Sequence, residues 1–285
     1  MEDKKIQIVE CPRDAMQGIK KFIPTEDKIN YINSLIKVGF DIIDFGSFVS
    51  PKAVPQMADT YNVISQLKIN DSTSLLAIVL NKRGILDASS FEKINILGYP
   101  LSISEIFQKN NSNMDIKSSM IFIDEILNLC EQKNKSLLVY LSMAFGNPYG
   151  EEWNINILLE KIRKLYQKGV RSISLADTTG QASSQLISEL YSEVNNNFTD
   201  LDVGLHLHCH PDDAIKKIES AWNVGCKRYD VAIGGYGGCP FTNSSLIGNL
   251  GTEKILNFIA KNKIPHSLDM LAFENAYNYS KKIFN

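Results

Sequence analysis

Three of the chain's four histidines lie within five positions, in the run LHLHCH from Leu205 to His210. Alternate residues of a strand point the same way, so His206, His208 and His210 are expected to share one face, with Cys209 packing on the other. His208 and His210 then sit at the strand's end, with Cα atoms about 7 Å apart (twice a rise of roughly 3.3 Å per residue), close enough to converge on one ion. His206 lies one layer deeper and is read as a core or supporting residue that tunes the site through a hydrogen bond. Asp14 supplies the counter-charge from the start of the chain, and Asn249 an amide oxygen. Two imidazoles, a carboxylate and an amide suit six-coordinate Mg²⁺ or Mn²⁺ better than thiolate-rich structural zinc. Zn²⁺ held by His, His and Asp is still compatible with the ligand types.

Further reactive groups are spaced along the chain. Cys239 stands in the glycine-rich stretch GGYGGCPF (234–241), where a loop can carry a thiol over a substrate. Arg13, beside Asp14, suits either a rim ion pair or the stabilisation of a developing oxyanion. Glu10, Asp44 and Asp177 each follow or end a run of strand character. Cys130 and Cys226 lie in helical patterns and read as packing residues.

These groups need elements to hold them. Eight short β-branched or aliphatic runs occur at 6–10, 41–46, 75–80, 93–99, 136–142, 172–177, 203–209 and 229–235. They alternate with segments of helical period at 26–38, 114–133, 154–168, 183–195, 212–224 and 252–262. Gly39, Gly169 and Gly225 each follow a helical pattern, where a left-handed cap belongs. Residues 100–113 read as a long loop with a short helix, and 265–285 as an extra helical pair. Eight βα units without a composition break predict an α/β fold, a (β/α)₈ TIM barrel formed by one domain over 1–285; an open doubly wound sheet is the alternative. The polar groups singled out fall at the C-terminal ends of strands, which is the active face of a barrel.

Composition excludes several classes. A formal net charge of −2 over 285 residues gives no basis for nucleic-acid binding, and no basic patch interrupts the sequence. No apolar run reaches the roughly 18–20 residues that span a bilayer, and the acidic start does not resemble a signal peptide. Five cysteines without a CxxC pair fit a reducing cytoplasm.

The motifs CPRDAMQG, GSFVSPKAVPQMAD, SLADTTG, HLHCH and GGYGGCPF…GNLGTE together resemble 3-hydroxy-3-methylglutaryl-CoA lyases, metal-dependent lyases on TIM barrels. The resemblance runs from about residue 6 to residue 253. It implies cleavage of hydroxymethylglutaryl-CoA to acetyl-CoA and acetoacetate, an acyl-CoA substrate and a homodimer or larger homo-oligomer. It also implies metal ligands Asp14, His208, His210 and Asn249, and catalytic Arg13, Cys239, Asp177 and Glu253. Arg13, Asp44 and Thr178 are implied to bind substrate. The chain departs from the pattern at Cys11, Ala15, Asp44 and His206, and in one extra residue between Cys239 and Asn249. The residue that deprotonates the substrate alcohol stays open among Asp177, His208 and Asp14. Another carbon–carbon lyase, a Claisen-type synthase and a catalytically silent metal-binding barrel are the alternatives.

Overall fold

The computed structural model describes residues 5–238 and 247–284. Its strands are β1 (Gln7–Glu10), β2 (Ile42–Ser47), β3 (Ser74–Ile78), β4 (Ile94–Ser102), β5 (Ser136–Ser142), β6 (Ser172–Asp177), β7 (Asp202–Leu207) and β8 (Arg228–Val231). They form a closed barrel in chain order, each parallel to the next, with β8 closing on β1 through pairs such as Ile8–Tyr229. The (β/α)₈ architecture is therefore present and the open sheet is not.

Eleven α-helices surround the barrel or cover its ends among the described residues. They are α1 (Pro12–Gln17), α2 (Thr25–Val38), α3 (Thr60–Gln66), α4 (Lys82–Ser89), α5 (Glu105–Ser112), α6 (Ile116–Lys133), α7 (Ile155–Lys168), α8 (Ser184–Asn197), α9 (Ala214–Asn223), α10 (Thr252–Lys261) and α11 (Met270–Phe284). Helix α7 shows the local logic. The Asn154 side chain accepts a hydrogen bond from the Ile157 amide, a cap worth about 1 kcal/mol. Leu158, Leu159, Ile162 and Leu165 then recur on one buried face. Gly169 closes the helix at φ +104°, a left-handed conformation costly for a residue with a Cβ.

The strands split their side chains between two cores. On β7, Val203, Leu205 and Leu207 pack outward under the helices. Gly204 and His206 face the lumen, where a Cβ on Gly204 would meet the Arg228 guanidinium at 2.8 Å. A second apolar cluster, including Val9, Ile42, Leu76, Leu138 and Tyr140, fills the lumen from the other side.

Three expectations change. Strand β4 runs through Pro100 to Ser102, instead of giving way to a loop at residue 100. The Gly98 carbonyl accepts from the Val79 amide on the β3 side, and two residues on, Pro100 faces the same side beyond the end of β3 at Ile78. Its missing N–H therefore costs no ladder bond. The C-terminal pair is a single helix, α11, whose Tyr279 and Lys282 both donate to Asp27 of α2. Strand β7 ends at Leu207, two residues short of the run 203–209, which matters for the site.

Candidate active site

Strand β1 passes directly into α1 with Pro12 in the first turn, so Arg13 and Asp14 are fixed on a helix that caps the barrel mouth. Arg13 is almost fully held. Its Nε and Nη2 donate to Asp44 on β2 at 3.0 and 2.6 Å, and its Nη1 donates to Asp14 Oδ1 and Gln17 Oε1, each at 2.9 Å. Gln17 also donates to Asp14 Oδ1 at 2.7 Å. Sequence reasoning missed Gln17, although its i+3 and i+4 spacing from Asp14 and Arg13 on one helix was visible.

Asp14 meets His206 of β7 and His208 just beyond its end. Ligand atoms of Asp14, His206 and His208 all lie within 4.8 Å of one another, and all three residues are buried. The His206 and His208 rings are 5.2 Å apart at their centroids. Asn249 closes the group, donating to Asp14 Oδ2 at 2.8 Å, while its main chain bridges to His208.

The expected partner of His208 was His210, which the structure places apart from the cluster. With β7 finished at Leu207, His208 makes only an isolated antiparallel bridge, and the chain turns outward through residues 209–213. The His210 side chain is 67% exposed and its Nδ1 faces Asp212 at 3.4 Å. It lies outside the cluster of buried ligand atoms, which includes His206, expected to be a supporting residue. Counting back from the strand's true end identifies the inward pair; the histidine spacing alone did not.

The electrostatics follow from burial and charge. Burial raises the Asp14 pKa, but Arg13, the two histidines and Asn249 outweigh it and bring the carboxyl down to about 2. Asp44, against the same arginine, is still pushed up to about 6 because desolvation dominates there. Burial, with the neighbouring His206, lowers His208 to about 4, so its imidazole is neutral and free to act as a donor atom to a cation. Its Nε2 is buried without a hydrogen-bond partner. An uncompensated buried nitrogen costs about 1–3 kcal/mol, and a cation at the cluster would satisfy it. Two imidazoles, a carboxylate and an adjacent amide thus fit a divalent ion.

Above the cluster lies a cavity of about 230 Å³ lined by Arg13, Asp14, Tyr140, Thr178, His206 and His208 among others. Tyr140, which sequence reasoning did not single out, stands edge-on to His206 at 5.6 Å. Thr178 lines the cavity and its hydroxyl accepts from the Met143 amide.

Other expected groups are placed differently. Asp177 does not line this cavity: its two oxygens accept from the Gln181 and Ala182 amides, and Lys217 binds Oδ2 at 3.2 Å. It holds the turn after β6. Asp44 also lies behind Arg13, not on the cavity wall, so it reaches a substrate only through the guanidinium. Glu253, in the first turn of α10, accepts from the Gly234 amide and so braces the segment after β8. Cys239 lies outside the described residues.

A closed (β/α)₈ barrel with a buried carboxylate–imidazole cluster and an arginine at its C-terminal mouth has the form of a barrel enzyme with a candidate metal site on its active face. The comparisons narrow the class. A family profile described as HMGL-like matches residues 5–279, and this chain belongs to that family. It is 31% identical over 254 residues to a hydroxymethylglutaryl-CoA lyase of Bacillus subtilis, covering 89% of this chain and 84% of the relative. It is 32% identical over 260 residues to the mitochondrial hydroxymethylglutaryl-CoA lyase of Bos taurus, covering 90% and 79%. Among solved structures, an HMG-CoA lyase from Acinetobacter baumannii, in complex with coenzyme A and 3-methylmalate, superposes with TM-score 0.92 at 28% identity, covering 100% of this chain and 92% of the other. No helix among the described residues is long and apolar enough to cross a membrane.

Proposed function

We propose that this protein cleaves 3-hydroxy-3-methylglutaryl-CoA to acetyl-CoA and acetoacetate with a divalent cation, Mg²⁺ or Mn²⁺, at Asp14, His206, His208 and Asn249. The observation that carries this reading is the unpartnered Nε2 of His208, buried beside Asp14 and His206 under a cavity that Arg13 also lines, in a chain of the HMGL-like family. When bound there, the cation supplies Lewis acidity to the substrate's tertiary alcohol.

The remaining work belongs to the protein. The alcohol O–H bond breaks and its proton passes to a base, for which Asp177, His208 and Asp14 stay the candidates. The carbon–carbon bond then breaks, its electron pair becoming the enolate of the departing acetyl-CoA. Arg13, kept charged and oriented by Asp44 and Asp14, stabilises the charge growing on the thioester oxygen. Cys239 is assigned the protonation of that carbanion. The largely apolar cavity wall, including Val49, Ile78 and Leu80, keeps bulk water from competing for the proton. The same reading takes an acyl-CoA as the partner molecule, a homo-oligomer as the working assembly and the cytoplasm as its location.

The test is release of acetoacetate from hydroxymethylglutaryl-CoA, measured after chelation and after adding back Mg²⁺ or Mn²⁺. Activity is expected only with added cation. A protein that is folded yet yields no acetoacetate with either ion overturns the proposal.

A further inference from the structure

Behind the mouth, one ammonium is buried against the ends of two strands. Helix α9 buries Ala214, Lys217, Ile218 and Ala221, and of these four only Lys217 carries a charge. It is 6% exposed. Taking an ammonium out of water is costly unless carboxylate or carbonyl oxygens replace the lost hydration. Lys217 finds three of them: its Nζ donates to Asp177 Oδ2 at 3.2 Å and to the Gly180 and His208 carbonyls, each at 3.3 Å. An ammonium has three donors, so its capacity is filled.

The three acceptors belong to two separate segments of the mouth. Asp177 and Gly180 stand in the turn after β6, and His208 stands just past β7, which ends at Leu207. The segments touch. A Cβ on Gly180 would lie 3.2 Å from the His208 carbonyl oxygen, and the His208 imidazole hydrogen-bonds the Thr178 main chain. No strand ladder fixes His208 itself, so its flanking ties must. The Cys209 amide donates to the Gly248 carbonyl and the Leu250 amide to the Leu207 carbonyl, both at 3.0 Å, and Lys217 supplies the tie to the β6 turn.

We infer that Lys217 is a positioning residue: by holding the β6 turn and the His208 main chain on one buried ammonium, it sets where the His208 imidazole meets the cation site. Rotation of the His208 peptide would carry the side chain with it and strip a buried charge of one acceptor. Lys217 does not line the cavity, so it acts only through the groups it holds. The inference rests on the proposed cation site, of which His208 is a member. Groups that orient a ligand from behind change metal affinity by about 10–100-fold when removed.

The test is a set of Mn²⁺ titrations on the folded full chain with Lys217→Met, Asp177→Asn, His208→Ala and the two pairs that Lys217→Met forms with the others. Lys217→Met is expected to weaken Mn²⁺ binding by about 10–100-fold. In the His208→Ala background it should cost no further affinity, because no imidazole is left to place. Asp177→Asn removes the carboxylate that Lys217→Met leaves unpaired, so that pair should recover the unfolding midpoint and still bind Mn²⁺ more weakly than Asp177→Asn alone. Should Lys217→Met not fold by itself, this pair carries the comparison. Equal affinity in the pair and in Asp177→Asn overturns the inference, since the lysine would then only balance a charge. An additive loss in the His208→Ala background overturns it too. Either result, with Mn²⁺ bound by the parent chain, leaves the proposed function standing; a folded parent chain that binds no divalent cation overturns both.

Discussion

On the β3–β5 side of the lumen the inward residues are Leu76, Ile78, Leu138 and Tyr140; on the β6–β8 side they are Ser174, His206, Arg228 and Asp230. Both sides are buried to a similar degree, yet one is held by dispersion and water exclusion and the other by a directed chain of hydrogen bonds. An apolar wall tolerates small shifts, because its contacts have no preferred direction. A hydrogen-bond chain fixes the orientation of each group it contains, and each break leaves a buried polar atom unpaired. The cluster at the mouth stands on the polar side, and the cavity opens toward the apolar one. Rigid orientation of the reacting groups and a dry wall for the substrate are thus contributed by different halves of one barrel.

The largest effects should come from breaking the polar side at its top. Asp14→Ala and His206→Ala each remove one donor from the cluster and are expected to weaken Mn²⁺ binding by roughly 10²–10³-fold, the share of one ligand in a four-ligand site. Isothermal titration of the folded variants reads this directly, and acetoacetate release should fall with it. Retention of Mn²⁺ affinity by His206→Ala would mean that the ion is not held by the inward pair.

The apolar side predicts the converse. Leu138 is 1% exposed in the lumen, so Leu138→Ala should lower the unfolding free energy by about 2–5 kcal/mol through lost burial and the cavity left behind. Mn²⁺ affinity per folded molecule should stay within about threefold, well short of a 1.4 kcal/mol change. Denaturant melts and titrations on the same sample separate the two effects. A loss of affinity as large as that in His206→Ala would erase the distinction between the halves.

How far the sequence carried this picture differs between fold and site. Periodicity placed all eight strands, because each is a short aliphatic run bounded by helical pattern, and β5 and β6 match to the residue. It ended β4 too early, since whether Pro100 costs a hydrogen bond depends on where the neighbouring strand stops. Asp14, Arg13, His208 and Asn249, expected at one site, lie together in the structure, because motif and strand end coincide for them. His206 lies within the cluster and His210 outside it, a placement that alternation did not reveal because it gives the face of a strand but not the residue at which it leaves the barrel. That point is set by β7's pairing, which runs to Leu207 against β6 and only to His206 against β8. Asp177 illustrates a different limit: the amides of residues 181 and 182 that its oxygens accept from lie in the turn after β6, which a strand pattern does not show.

A carboxylate outside the lumen sharpens the comparison through pH. Glu10 and Asp14 are both deeply buried, but Asp14 faces an arginine, while Glu10, among the described residues, accepts from the Ile233 amide and the Thr252 hydroxyl. Burial therefore pushes Glu10 up to about 8 from an ordinary 4.5. The folded state holds a proton that the unfolded state releases across that interval, so Glu10's contribution to stability falls as pH rises from about 4.5 to about 8, by about 1.4 kcal/mol per pH unit. Glu10→Gln should abolish that slope. The difference in unfolding free energy between variant and parent is expected to grow in the variant's favour from pH 5 to pH 8, and a difference independent of pH would mean that Glu10 is ionised in the fold.

The smallest effect is expected at the residue that looked most like a ligand in the sequence. His210 follows His208 at the same spacing as His208 follows His206, but its side chain is 67% exposed and its near partner, Asp212, is 88% exposed. An exposed pair of this kind contributes about 0–1 kcal/mol, and nothing links it to the Arg228–Ser174–Asp230 chain that fixes His206. His210→Ala should therefore change Mn²⁺ affinity by less than about twofold, a fraction of the 1.4 kcal/mol that a tenfold change requires. Measured beside His206→Ala under the same conditions, it compares two imidazoles four residues apart, one inside the lumen and one past its rim. If the two variants lost affinity equally, the chain beyond Leu207 would have to fold back over the mouth when the ion binds, and the cluster described here would be only part of the site.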